Sequence, residues 1–344
     1  MTGQAPLRFG VIGAGWFASR RHIPDIAAHP EAALAAVCRR DREALERVRA
    51  HFGVPAAHAD WREMLEREPL DAVVIATPPA LHHAQAAAAI ERGLHVLLEK
   101  PMTIRHVESV DLVARASERG VFLAVALNPP YWAHCHRLRE AIRSGTIGEV
   151  EAIDLCWTGN AEYVFGEAPR PADLPGVVPP TMYRADPSLS GGGYLIDGGS
   201  HLVSEVLWVA GRRAVRVACL ADALPSDRRA ALAMELEGGA TATLTCVGNS
   251  RLGERRVRNT IAGSAGTIVV EGFGFDTRIR TRDGREEGFS ERDLPPATGP
   301  IANLVDAIRG RAPLHSPAEH GADVACVIEA AYRSAAGGAA VVHP

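Results

Sequence analysis

The stretch LRFGVIGAGWFA at residues 7–18 constrains the fold more than any other part of the chain. A short apolar run, of the kind seen in strands buried on both faces, leads straight into Gly13-x-Gly15-x-x-Ala18 and then into a helical segment. In that setting the first glycine permits a tight turn, and the second lets a pyrophosphate approach the backbone. The small third residue allows close helix–sheet packing. The helix N-terminus that follows favours anions through its unpaired N–H groups and its dipole. Gly13, Gly15, Trp16, Phe17 and Ala18 are therefore the candidate phosphate-binding residues.

The strand–helix unit then repeats. Strands are expected at LRFGVIG, AALAAVC, DAVVIA, HVLLE and VFLAVA, with helical stretches between them, the first over about 16–28. This alternation gives a parallel sheet covered on both faces. The pattern changes at NPPYW, residues 128–132. A helix follows, then a long strand in IGEVEAIDLCWTG. Residues 160–187 are Pro-rich and aperiodic, which reads as a lid or a partner-contacting arm. Six further strand candidates run from VRVACLA to FDTRIRTRDG with short turns between them, predicting a largely antiparallel sheet. Helices around 298–310 and 317–336 close the chain.

Composition narrows the function. The formal net charge of -4 leaves no basic footprint, which argues against nucleic acid as a partner. No apolar run approaches the roughly 20 residues that span a bilayer. The opening MTGQAPLRFGVIGAG, with Arg8 inside its apolar stretch, does not read as a secretion signal. The six cysteines, at 38, 135, 156, 219, 246 and 326, are scattered, which suggests reduced thiols and a cytoplasmic protein. Metal binding at His134-Cys135-His136 is not expected, because adjacent helical positions point in different directions.

At the end of the second strand the chain reads AVCRRDRE. Arg39 and Arg40 stand where an acid usually takes the ribose hydroxyls of NAD. A guanidinium suits a 2′-phosphate, so NADP is favoured and NAD remains the alternative, with Asp41 as the ribose reader. VLLEKPM places Glu99-Lys100-Pro101 at the carboxyl end of the fourth strand, the edge where open parallel sheets bind ligands. Lys100, held extended before proline, can donate to a substrate oxygen there. GYLIDGGSHLVSEVLWVAG, residues 193–211, reads as an almost wholly apolar helix, yet it carries Asp197 and His201 four residues apart on one face.

The nucleotide motif, EKP, GGGYLIDGGSH and the late GSAGTIVVEG together resemble, in order, the Gfo/Idh/MocA oxidoreductase family over essentially the whole chain. The resemblance implies an α/β fold: an N-terminal Rossmann dinucleotide-binding domain, placed at 1–127, and a C-terminal α/β domain at 128–344 with an open, mostly antiparallel sheet. It implies hydride transfer between nicotinamide and a hydroxyl or keto group of a sugar, cyclitol or related small molecule. Lys100, Asp197 and His201 take the catalytic roles by that likeness, Lys100 polarising the oxygen, His201 as acid/base and Asp197 positioning the substrate. Thr77, Pro78 and His82 in TPPALHH, with Glu99 and Lys100, match cofactor-side positions. The chain departs from the family's usual pattern in three places: Ser204 where an acid often follows the histidine, Pro79 where an asparagine is common, and Arg39 in place of the NAD-type acid.

Asn128, Tyr131, Trp157, Asn160, Tyr163 and Tyr183 are candidate substrate contacts, since sugars stack on aromatic faces and hydroxyls need polar partners. ATATLTC alternates Thr241, Thr243 and Thr245 with apolar residues, so an uncovered sheet face there suits a homodimer or homotetramer. Two other readings stay open. One is a lyase or hydrolase using a retained nicotinamide for transient oxidation, and the other is a non-catalytic nucleotide sensor.

Overall fold

The computed structural model describes residues 5–168, 174–252 and 254–344. Two compact units divide the chain. The first comprises residues 1–126, 163–184 and 298–322, and the second 127–162, 185–297 and 323–344.

The first unit is built on a six-stranded parallel sheet. Its strands are β1 (Leu7–Ile12), β2 (Ala32–Cys38), β3 (Ala56–His58), β4 (Ala72–Ile75), β5 (His95–Leu98) and β6 (Leu123–Val125), in the order β3-β2-β1-β4-β5-β6. The order reverses between β1 and β4, which puts a ligand crevice at the carboxyl end of β1. The strands are apolar because helices cover both faces; β4, AVVI, is buried at every position. β3 was not expected: its three residues, AAH, are too short to show a period.

A division of the chain at residue 128 does not describe this unit fully. Ile301, Leu304 and Val305 of the helix Pro300–Ile308 belong to its core, together with Val178. Apolar side chains distant in sequence thus fill a surface that the first 126 residues leave uncovered. Within the aperiodic stretch 160–187, Val178 N–H donates to Ser19 Oγ at 3.0 Å; residues 169–173 of that stretch lie outside the described residues.

The second unit carries an eight-stranded sheet of β7 (Val150–Thr158), β8 (Ala214–Ala221), β9 (Arg229–Leu236), β10 (Thr241–Val247), β11 (Arg256–Gly263), β12 (Gly266–Glu271), β13 (Asp276–Thr281) and β14 (Glu286–Phe289). The order is β14-β13-β12-β11-β7-β10-β9-β8, and every pairing is antiparallel except β10 with β7. β9 and β10 alternate strictly between exposed and buried. Their buried side chains face helices, and Thr241, Thr243 and Thr245 line the uncovered face. β14, EEGF, lacks apolar alternation and was not expected.

Candidate active site

β1 ends at Ile12 and the chain turns at Gly13, where φ is +88°. A Cβ there would lie 2.7 Å from the carbonyl carbon and oxygen of Ala76, so glycine alone fits both the conformation and the space. Gly13 and Ala14 donate their N–H groups to the Cys38 carbonyl, each at 3.0 Å, which holds the turn to the end of β2. Helix then runs from Trp16 to Ala28, with a π turn at Ala18–His22.

A Cβ at Gly15 would sit 3.2 Å from Arg39 Nη1, so the guanidinium lies over the glycine turn. Arg39 Nε is buried with no hydrogen-bond partner among the described residues. Asp41 Oδ1 accepts the Ala44 N–H at 3.1 Å and caps the helix Arg42–Phe52, while its Oδ2 lies 3.8 Å from Arg39 Nη2. Arg40 is exposed. A side-chain-free cradle beneath a fixed cation with an orphaned donor fits a dinucleotide.

β5 ends at Leu98 and leads into Glu99-Lys100-Pro101, with a cis peptide between Lys100 and Pro101. Glu99 is buried. Its Oε1 lies 2.7 Å from His22 Nε2, and its Oε2 accepts the Lys100 N–H at 3.1 Å. It ties the EKP loop to the first helix. His82 is likewise held by its neighbours. It is wholly buried, with Nδ1 2.9 Å from the Pro101 carbonyl and Nε2 2.8 Å from the Thr77 carbonyl. The ring lies between the Thr77-Pro78 loop and the EKP loop, its single N–H in the neutral form donating to one of the two carbonyls, and burial holds its pKa below the usual imidazole value. Thr77 Oγ1 donates to Gln85 Oε1 at 2.6 Å. Lys100 is half-buried.

In the same unit, Tyr163 meets Trp16 edge to face at 6.2 Å, and the Arg20 guanidinium lies 5.5 Å from the Trp16 ring centre. A residue expected at the substrate thus contacts the nucleotide turn. Phe17 is 36% exposed, and Tyr183 lies under the Arg184 guanidinium at 4.6 Å.

In the second unit, the apolar helix spans Tyr194 to Ala210. It is not regular: Leu195–Gly199 form a π turn and Ser200–Ala210 an α-helix. Asp197 therefore lies in the π turn and His201 in the first α turn, both half-buried. Such turns recur at functional sites because they re-aim side chains. The glycines here serve the Tyr194 ring. A Cβ on Gly198 would come within 2.5 Å of it, and one on Gly248 within 2.4 Å. His201 Nδ1 accepts the Asn128 N–H at 3.4 Å. Asn128 thus reaches the histidine through its backbone.

The other candidates are placed by packing. Tyr131 is buried. Asn160 is engaged locally, with Nδ2 donating to Glu162 Oε2 at 2.9 Å and Oδ1 accepting the Glu162 N–H at 3.0 Å. Trp157 stacks on Trp132 at 5.6 Å, and its Nε1 is buried without a hydrogen-bond partner among the described residues.

Two acids escaped the sequence reading. Asp227 is fully buried under the start of the helix. Its Oδ2 accepts the Leu195 N–H at 2.7 Å, and its Oδ1 accepts the Gly193 N–H at 3.2 Å and the Tyr332 hydroxyl at 2.7 Å. Nothing in LPSDRRA distinguishes it from a loop aspartate. Glu205, one position past Ser204, is 2% exposed, and burial pushes its carboxyl up to about 7. His134 and Cys135 converge despite being adjacent, with Sγ 3.3 Å from Nε2, whereas His136 turns away to the Pro130 carbonyl at 2.8 Å.

Residues 7–127 match the family described as "Oxidoreductase family, NAD-binding Rossmann fold", and residues 135–269 match the "GFO/IDH/MocA C-terminal domain". A dTDP-3,4-didehydro-2,6-dideoxy-alpha-D-glucose 3-reductase of Streptomyces violaceoruber is 31% identical over 324 residues, 88% of this chain and 85% of the relative. The chain belongs to the Gfo/Idh/MocA oxidoreductase family. As a family member it is an NAD(P)-dependent oxidoreductase. A second relative, the NADP-dependent scyllo-inositol 2-dehydrogenase IolU of Bacillus subtilis, is 28% identical over 302 residues, 85% of this chain and 84% of its own length. The Gfo/Idh/MocA fold is also that of the WlbA dehydrogenase from Bordetella pertussis, solved with NADH and UDP-GlcNAcA. It superposes with a TM-score of 0.81 at 24% identity, covering 98% of this chain and 99% of WlbA.

Proposed function

We propose that the protein transfers hydride between NADP and a hydroxyl or keto carbon of a sugar, sugar nucleotide or cyclitol. The observation that carries the cofactor choice is Arg39 lying over Gly15 while Asp41 caps a helix. A guanidinium there pairs with a 2′-phosphate, and the carboxylate beside it, Asp41, caps a helix and lies 3.8 Å from Arg39 Nη2. The substrate class follows the names of the relatives, a deoxysugar 3-reductase and an inositol dehydrogenase.

The nicotinamide supplies the hydride acceptor or donor when bound. The protein's own groups handle the oxygen. Lys100, in the bend that follows the braced Glu99, donates to the reacting oxygen and stabilises its negative charge. His201 moves the proton. Its Nδ1 faces the Asn128 N–H at 3.4 Å, which leaves Nε2 as the nitrogen that exchanges a proton with the reacting oxygen, giving it as imidazolium in reduction and taking it as the neutral ring in oxidation. Asp197 orients a second hydroxyl. The uncovered face of the second sheet pairs with a second copy, giving a homodimer or homotetramer. Six free cysteines accord with a cytoplasmic protein.

Replacing Lys100 with Met, or His201 with Ala, is expected to lower turnover by roughly 100- to 10,000-fold. NADPH binding, followed by its fluorescence, is expected to persist. Wild-type turnover in both variants would remove these roles.

A further inference from the structure

His134, Cys135 and Glu205 are all buried, and their donor atoms lie within 4.8 Å of one another. His134 and Cys135 open the helix Ala133–Arg143, and Glu205 sits on Ser200–Ala210, one turn beyond His201. Cys135 Sγ lies 3.3 Å from His134 Nε2. A tetrahedral zinc ion, with Zn–S about 2.3 Å and Zn–N about 2.0 Å, sets such atoms about 3.5 Å apart. His134 Nδ1 is 2.6 Å from Glu291 Oε2. That carboxylate–imidazole pair fixes ring orientation and leaves Nε2 to face a metal. The ring is further stacked on Trp132 at 5.6 Å and Phe275 at 3.9 Å.

Glu205 supplies an independent sign of a missing ligand. Its Oε1 accepts from Asn259 Nδ2 at 2.9 Å, whereas its Oε2 is buried with no hydrogen-bond partner among the described residues. Asn259 Oδ1 is orphaned in the same way. Buried oxygens without donors are costly, and a cation removes that cost.

We propose that His134 Nε2, Cys135 Sγ and Glu205 Oε2 hold a structural zinc ion, with Asn259 Oδ1 or a water completing the shell. Nitrogen and sulfur donors select zinc over magnesium or calcium. Binding releases the thiol proton to solvent, and the thiolate and carboxylate together balance the 2+ charge. The ion clamps the helix that carries His201 to the helix Ala133–Arg143. The inference does not depend on the hydride-transfer reading.

The test is metal analysis of tag-free full-length protein, stripped with chelator, dialysed against zinc or cobalt, and freed of excess ion. The site predicts about one ion per chain and, with cobalt, a near-ultraviolet thiolate-to-metal charge-transfer band. Cys135→Ser is expected to abolish the band and Glu205→Gln to lower retained zinc at least about tenfold, with circular dichroism unchanged. The wild-type cobalt spectrum stands even where a variant fails to fold. Absence of the band in wild type, or the same stoichiometry in folded variants, would overturn the proposal.

Discussion

At the scale of single residues, Arg39 decides most. Its guanidinium is held over Gly15, and a charge-assisted hydrogen bond is worth about 1.5–3 kcal/mol. Arg39→Ala is therefore expected to weaken NADPH binding by roughly ten- to a hundred-fold and leave NADH binding within about threefold, read by fluorescence titration. Equal losses for both would point to a general role in the turn. The glycines of this turn were legible because sterics dictate them: at Gly13 no side chain fits. The roles of Glu99 and His82 were not. A motif shows that a residue stands near the site, but not whether its polar atoms are already spent on neighbours such as His22 or the Pro101 carbonyl.

At the scale of elements, strands and helices with a clear period were readable, and departures occurred where local pattern is weak. β3 and β14 are short, and they exist because neighbouring strands offer them edges. The π turn at Leu195–Gly199 follows from contacts distant in sequence. Gly248 leaves room for the Tyr194 ring, and Asp227 holds the N–H groups of Gly193 and Leu195. A spacing of four therefore marked Asp197 and His201 without giving their geometry.

The edge of the first sheet carries a pH-dependent contact. His95, at the start of β5, accepts the Phe122 N–H on Nδ1 at 3.0 Å, and burial lowers its pKa below 6.5. Only the neutral ring can accept, so its contribution is full above about pH 6.5 and is lost as pH falls through the lowered value. Thermal unfolding between pH 7.5 and 5 is expected to fall less steeply in His95→Gln than in wild type. An identical slope would remove His95 from the account.

For the whole molecule, strand–helix alternation was enough to give a parallel-sheet unit, and a run of strands with short turns a mostly antiparallel one. It did not show that residues 163–184 and 298–322 belong with the first unit, because their apolar positions find partners only in the folded chain. Along β10 the uncovered sheet face is lined by Thr241, Thr243 and Thr245, and Thr243 Oγ1 donates to Asp154 Oδ1 at 2.5 Å. Light scattering is expected to give a dimer or tetramer for wild type and a shift toward monomer for Thr243→Arg, which places a charge in that face. A monomeric wild type would end this part of the account.

The most direct test of the central claim follows nicotinamide absorbance with a panel of sugars, sugar nucleotides, inositols and their keto forms, using NADP and NAD in both directions. The account predicts turnover with at least one sugar-like compound and a higher kcat/KM with the phosphorylated cofactor. Cofactor binding with no net redox change on any of them, or a clear preference for NAD, would contradict it.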